Sequence, residues 1–487
     1  MLKKIRVALA LLFFLGVTAL FLDYTGAIHL WLGWMAKIQF LPAVLAANVV
    51  VIVALVLLTL VFGRVYCSVI CPLGVMQDVV AHLHPKKNRY NYHRELRWVR
   101  YPIWVLFAVV VVLGVGSAIA LLDPYAIYGR IAQNLLQPVW MWAGNLLAKV
   151  AEHYDSYAFY SREVWLRSLP TFVVAVVSVV AIGLVAWFGG RTYCNTICPV
   201  GTTLSFFSRF SLFKVRFDAE KCRNCSQCTT HCKASCIDHT THTVDYSRCV
   251  SCGNCLNKCK FGALKYSFAL GKSKTETKVD ESKRAFLAAS AMVAGTAVAQ
   301  EAKKVDGGFA PLLDRVVPER KTPITPPGSI SARNMARHCT ACQLCVSDCP
   351  NNVLRPSTEI STFMQPVMSY ERGYCRPECT RCSTVCPTGA IVKIDASQKS
   401  SLQIGHAVWE PKNCVVLTDG VTCGNCARHC PTQAITMVNR DPSDESSPMV
   451  PAVNEARCIG CGACENLCPA RPFPAIHVEG YEEHHSY

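Results

Sequence analysis

Four stretches of this 487-residue chain are apolar almost without interruption: 5–22, 42–62, 101–122 and 170–188. Each approaches the roughly 20 residues that a helix needs to cross the hydrocarbon of a bilayer. The pattern predicts a membrane α-helical fold over 1–200, a four-helix transmembrane domain. After residue 200 the pattern changes. Short strand-like pieces, KVRFD at 214–218 and ALKYSF at 263–268, flank cysteine-rich turns and predict small α+β units.

The polar segments between the runs differ in charge. The N-terminus carries Lys3, Lys4 and Arg6, and 23–41 has only Asp23 and Lys37. Segment 63–100 sets seven basic residues against Asp78 and Glu95, 123–169 is balanced, and the chain beyond 188 is basic again. The positive-inside rule then puts the N-terminus, 63–100 and the region after 188 in the cytoplasm. Trp31, Trp34, Trp140 and Trp142 fall in the opposite segments, where interfacial aromatics belong. Residues 129–153 read as an amphipathic helix lying on the outer surface. No histidine lies inside any of the four runs, so a haem held between two helices is not expected.

The second and fourth runs end alike, in FGRVYCSVICPLG (62–74) and GGRTYCNTICPVG (189–201). Two helix pairs, each closed by G-R-x-Y-C-x-x-x-C-P-x-G, imply a pseudo-twofold domain in which Cys67, Cys71, Cys194 and Cys198 approach one another as a redox-active or ligand set. Asp78 follows the first copy and is a candidate proton acceptor.

Most of the remaining cysteines form six quartets. Cys222, Cys225, Cys228 and Cys232 are spaced C-x2-C-x2-C-x3-C, and Cys249, Cys252, Cys255 and Cys259 repeat this. So do Cys339, Cys342, Cys345 and Cys349, and, at the far end, Cys458, Cys461, Cys464 and Cys468. Two inner quartets are irregular: Cys375, Cys379, Cys382 and Cys386 have one extra residue in the first gap, and Cys414, Cys423, Cys426 and Cys430 a long first gap. In the bacterial ferredoxin spacing three close cysteines wrap one [4Fe–4S] cube and the fourth ligates its neighbour. Zinc favours two separated C-x-x-C pairs, so the reading is six [4Fe–4S] clusters. Cys232 and Cys236 both offer the fourth ligand of the first motif. In the C-terminal half the motifs can pair in order, or outer with outer and inner with inner; spacing leaves both open.

Composition agrees. Mean hydropathy is +0.25 and only 17% of residues are charged, too apolar for an ordinary soluble protein. The 29 cysteines in C-x-x-C clusters point to metal ligation rather than a disulfide scaffold. Net charge is +16, and cytoplasmic loops and cluster counter-charge explain it without a nucleic-acid partner. No nucleotide-phosphate loop, catalytic triad or flavin fingerprint is present.

On these motifs, residues 1–270 resemble the NapH family of membrane quinol dehydrogenases, and 282–480 the NapG family of polyferredoxins. The resemblance implies a fusion that takes electrons from membrane quinol, through the clusters, to a periplasmic reductase such as nitrate reductase, or to a cytochrome c. The membrane part also resembles iron–sulfur proteins of the NosR and FixG type, which implies the alternative of a redox regulator or metal-handling protein. The expected partners are membrane lipid, quinone and that downstream protein.

The chain then divides into the helical domain (1–200), a two-cluster ferredoxin domain (201–275), a segment at 282–300, a proline-rich linker (301–335) and a four-cluster domain (336–480). SKRAFLAASAMVAGTAVAQ, 282–300, has the basic start and short apolar core of an export signal and resembles the twin-arginine signature with Lys283 replacing one arginine. It is expected to cross the inner membrane, cleaved after Ala299 or not. That leaves the N-terminus and first ferredoxin domain cytoplasmic and the four-cluster domain periplasmic.

Overall fold

The first apolar run forms one helix, Leu2–Leu22, and the fourth another, Leu169–Gly189. Both are long and apolar enough to cross a membrane, by length and composition. Among the described residues the expectation of four such helices is met only by these two, because the middle runs are interrupted. Ala47 takes a left-handed φ of 49°, and the Asn48 side chain then accepts from Val51 N and starts a new helix, Val49–Phe62. Gly114, at φ 73°, ends Arg97–Leu113 before a short Gly116–Leu122. The computed structural model describes residues 2–86, 90–156, 159–268 and 315–486; segment 282–300 lies outside them.

The long helices turn their apolar side chains outward. Leu12, Leu15, Val50, Leu57, Leu106, Val112, Val177 and Leu184 are all exposed. Only 28% and 22% of the two longest helices is buried. Of residues 129–153, expected as one surface helix, only the start departs from that reading, since the helix Gln137–His153 buries only Gln137 and Ala148. Pro124–Ile131 is buried throughout, and the chain continues through a π-turn, Ala132–Leu136, into Gln137–His153. The start of that segment packs in the bundle centre because Arg130, Gln133 and Asn134 face inward.

The cysteine-rich units cap opposite ends of the bundle. At one end, Arg191 N donates to Lys233 O at 2.8 Å, Leu212 N to Leu60 O at 2.7 Å, and the Ser251 hydroxyl to Phe62 O at 2.9 Å. At the other, Asn134 Nδ2 donates to Gln343 Oε1 at 3.1 Å, Gln137 Nε2 to Ser347 O at 3.1 Å, and Arg372 pairs with Glu163 at 2.6 Å. The first helix and the residues just past it touch both: Lys3 lies against Gly253, and Tyr24 O accepts from Arg381 at 3.2 Å.

Each unit is tied by two-stranded antiparallel sheets. Phe213–Phe217 pairs with Leu264–Phe268, joining the two strand-like pieces read from the sequence. Leu402–Trp409 pairs with Ile476–Ser486 across a bulge after Gly480. One apolar core runs from the bundle to Val478, and a second surrounds the last two cysteine motifs. The described part of the proline-rich stretch, read as a spacer, is wall rather than tether. Ile324, Thr325 and Ser329 are buried, Gly480 N donates to Thr322 O, and Met368 N to Ile324 O.

Candidate functional site

The four regular quartets share one turn. In each, the residue before the second cysteine and the residue after it are left-handed: Asn224 and Ser226, Ser251 and Gly253, Ala341 and Gln343, Gly460 and Gly462. Five of these eight carry side chains that resist φ > 0, a local cost on the order of 1 kcal/mol each. Such a cost is tolerated where the backbone must curl its N–H groups inward. Backbone N–H groups do reach sulfur, from Ala341 to Cys339 at 3.3 Å, Ala434 to Cys430 at 3.2 Å and Ala475 to Cys468 at 3.3 Å. Soft thiol donors on curled backbone with N–H···S bonds fit iron–sulfur ligation.

The fourth cysteine of every motif crosses to its neighbour. Cys222, Cys225 and Cys228 line one hollow with Cys259; Cys375, Cys379 and Cys382 line another with Cys349; and Cys414, Cys423 and Cys426 a third with Cys468. By electrostatic reach, Cys339, Cys342 and Cys345 group with Cys386, and Cys458 and Cys461 with Cys430 beside Cys464. Motifs therefore pair in order, which decides between the two schemes left open above. Cys249, Cys252 and Cys255 take Cys232. Cys236 adjoins the same group, 3.5 Å from the Cys232 sulfur and in contact with Cys249. The two C-terminal pairs abut. Cys375 N donates to Cys461 O at 2.9 Å, and buried Tyr370 stands between them, donating to Gly460 O at 2.5 Å.

The two C-x-x-x-C-P elements meet at the end of the bundle that carries Lys233 and the first cysteine-rich unit. Cys71 lies within electrostatic reach of Cys194 and Cys67, and Cys198 of all three others; all four are buried. The repeats clasp each other by exchanged arginines. Arg64 Nη2 donates to Cys194 O at 3.0 Å, and Arg191 Nη1 to Cys67 O at 2.5 Å. Each also reaches its own repeat's sulfur, at 3.8 Å from Cys67 and 3.9 Å from Cys194. Both guanidiniums are fully buried. Among the described residues, no three His, Cys, Asp or Glu side chains converge tightly enough for a single metal ion.

Beside this cage opens a cavity of about 500 Å³, lined by Val7, Leu11, Val79, Asp78, His82 and Lys233 among others. Asp78 is ion-paired to Arg191 at 2.7 Å, to Arg6 at 3.3 Å, and to Lys233. Burial alone would raise its carboxyl, but the charges of Arg191 and Lys233 hold it well below the usual carboxylate range. Across the cage, Tyr66 and Tyr193 lie within electrostatic reach of Asp123. Arg130 in turn lies within reach of Asp123 and of Cys342.

Sequence reasoning missed Arg64, Arg191 and Tyr370 as parts of the site. Arg64 and Arg191 were visible as the repeated G-R of the two elements, but were counted as cytoplasmic charge. Lys399 Nζ, which reaches the Cys375 sulfur at 3.1 Å, lies 13 residues beyond its motif and carried no signal.

Family descriptions match along the chain: a "4Fe-4S binding domain" at 44–90 and 171–218, and a "4Fe-4S dicluster domain" at 338–390 and 421–471 and, in a second form, at 245–353. The last joins motifs that lie at opposite ends of the bundle, so it does not describe a cluster pair here. The methylamine utilization ferredoxin-type protein MauM of Paracoccus denitrificans is 31% identical over 33% of this chain and 75% of its own. The ferredoxin-type protein NapF of Escherichia coli is 27% identical over 32% and 87%, and the putative electron transport protein YccM of that organism 24% identical over 39% and 47%. No solved structure matches.

Proposed function

This chain belongs to the family of ferredoxin-type 4Fe-4S electron-transfer proteins that its MauM relatives represent, and from that premise we propose that it conducts electrons across the inner membrane, from quinol to a periplasmic redox partner. One observation carries the reading: the cysteine-rich units sit at opposite ends of a helix bundle whose outer faces are apolar. The helix Leu2–Leu22 meets one unit at Lys3, Tyr24 just past its end meets the other, and at about 1.5 Å per residue the helix is about 30 Å long. That is the thickness of a bilayer's hydrocarbon. Exposed Trp31, Trp34, Trp140, Trp142, Tyr154 and Tyr160 at the outer end fit an interfacial belt. The interrupted helices Val49–Phe62 and Arg97–Leu113 complete a four-helix membrane domain.

Six quartets hold six [4Fe–4S] clusters, each of which supplies one-electron storage when bound. Quinol enters the cavity between Leu11, Val79 and Asp78, adjoining the Cys67–Cys198 cage and the unit of Cys249, Cys252, Cys255 and Cys232. Its two electrons leave one at a time and its two protons pass to the cytoplasm. Asp78, held ionised by three cations, orients a quinol hydroxyl by accepting its hydrogen bond, while the His82 and His231 imidazoles in the same cavity are the bases within reach of the departing protons. The receiving partner, a reductase or a cytochrome c, meets the four-cluster unit outside.

Protease added to spheroplasts tests this. It should digest the chain downstream of residue 315 and spare Cys222–Cys259. Survival of the C-terminal half until lysis would put all clusters on one side and end the reading.

A further inference from the structure

We propose that Lys399 tunes one cluster of the four-cluster unit: its ammonium, bonded to the Cys375 sulfur, raises the reduction potential of the cluster held by Cys375, Cys379, Cys382 and Cys349 and makes it the place where an electron on that unit comes to rest. The inference rests on iron–sulfur binding within 338–390, the segment matched as a dicluster domain, and on neither quinol nor a membrane.

The first support is charge. Lys399 is 5% exposed, and a lysine is seldom buried without a partner. An ammonium has three N–H groups. Lys399 directs them to the Cys375 sulfur at 3.1 Å, to Arg376 O at 2.6 Å and to Cys379 O. Both carbonyls are neutral. Among these acceptors only the sulfur can carry the balancing negative charge, and it does so as a thiolate ligand of iron. Cys382 lies within electrostatic reach of the same ammonium.

The second support is the local backbone. The four regular quartets curl around a left-handed pair that flanks the second cysteine. From Arg376 to Val385 no residue is left-handed. The first gap, with its extra residue, instead turns the Arg376 and Cys379 carbonyls toward Lys399, so the irregular spacing builds a socket for an ammonium. The donors to sulfur named for other quartets, on Ala341, Ala434 and Ala475, are uncharged backbone N–H groups. The helix that carries Lys399 is fixed independently of that socket. Asp395 and Gln398 close a capping box at the start of Ala396–Ser401, and Lys399 N donates to Asp395 O at 3.0 Å.

The third support is position. Cys375 N donates to Cys461 O at 2.9 Å, so this group lies where the two C-terminal pairs abut. Reduction adds one electron there, with no proton or bond changing hands. A fixed cation beside a ligand sulfur favours the more negative state, and hydrogen bonds to sulfur are among the terms that set cluster potentials. An electron shared along the four groups therefore collects at the junction beside Lys399 rather than at either end.

Electron paramagnetic resonance of the anaerobically purified, full-length protein, titrated with dithionite, reads the potential. The relevant signal is the one that Cys379→Ser changes. Lys399→Met should weaken the electron affinity of that cluster roughly ten- to hundredfold, at about 59 mV per tenfold for one electron, and leave the other signals and the iron content unchanged. Lys399→Arg, which keeps the charge, should shift it much less. A wild-type midpoint in Lys399→Met, or equal shifts in the two variants, overturns the proposal. The unsubstituted protein gives a second reading that needs no variant to keep its cluster. With nitrogen-15 lysine incorporated, pulsed resonance should find a lysine nitrogen coupled to this signal, and a signal with no such coupling also overturns the proposal. Failure of quinol to reduce any cluster would end the conduit reading and leave this titration untouched.

Discussion

Arg64 donates to the carbonyl oxygen of Cys194 at 3.0 Å, across the boundary between the two halves of the bundle. Arg191 returns the bond to Cys67 at 2.5 Å. Each element thus supplies the cation that holds the other's cysteine backbone in place, and neither half can move without releasing a buried charge.

The clasp leaves no room for a side chain on the glycine that closes each element. A β-carbon on Gly74 would lie 2.3 Å from Cys67 O and 2.6 Å from Arg191 Nη1; on Gly201, 2.3 Å from Cys194 O and 2.7 Å from Arg64 Nη2. Gly74→Ala and Gly201→Ala should each destabilise the detergent-solubilised protein by about 1–3 kcal/mol in thermal unfolding. Gly183→Ala, with nothing within 4 Å of its β-carbon, should be neutral or mildly stabilising. Equal effects at all three sites would remove the clasp.

Asp78 is the shared anion of Arg191, Lys233 and Arg6. Asp78→Asn should cost about 3–5 kcal/mol, as expected when one partner of a buried ion pair is removed. Because Lys233 belongs to the first ferredoxin unit, the loss should show as faster proteolytic release of residues 213–268. A variant with wild-type release would mean that Lys233 does not dock that unit.

The crossed fourth cysteines make a spectroscopic prediction. Cys349→Ser should perturb the same cluster signal as Cys379→Ser, because these line one hollow. Cys386→Ser should perturb the signal changed by Cys342→Ser. Electron paramagnetic resonance of the reduced variants reads the pairing, and grouping by motif instead of across motifs would refute it.

His484 supplies a pH dependence. Burial, aided by the charge of His485, pushes its imidazole down to about 4, and the ring meets the Thr325 hydroxyl at 2.9 Å. The unfolded chain takes up a proton near pH 6.5, before the folded chain does. This packing therefore contributes fully above pH 6.5 and is progressively lost as pH falls toward 4, by about 3 kcal/mol in full. Protection factors over 476–486, each referred to the intrinsic exchange rate at its pH, should fall between pH 7 and 5 in the wild type and stay flat in His484→Gln.

The sequence alone determined the chemistry. Cysteine spacing is local, so Cys222, Cys225 and Cys228 announce a cluster turn without any knowledge of the fold, and the repeated G-R-x-Y-C-x-x-x-C-P-x-G announces two related elements. Apolar run length marked the helices but not their breaks, because Asn48 and Gly114 act through a cap and a left-handed turn that hydropathy does not record. Tertiary structure alone decided which fourth cysteine serves which group, since Cys349 and Cys375 become neighbours only when the chain folds back. It also turned Arg64 and Arg191 from surface charge into buried clasps, because burial depends on what packs above a residue rather than on the residue. The same holds for 315–331: prolines fix an extended backbone wherever they occur, and only the strand at Ile476–Ser486, packed against them, makes that stretch part of the wall.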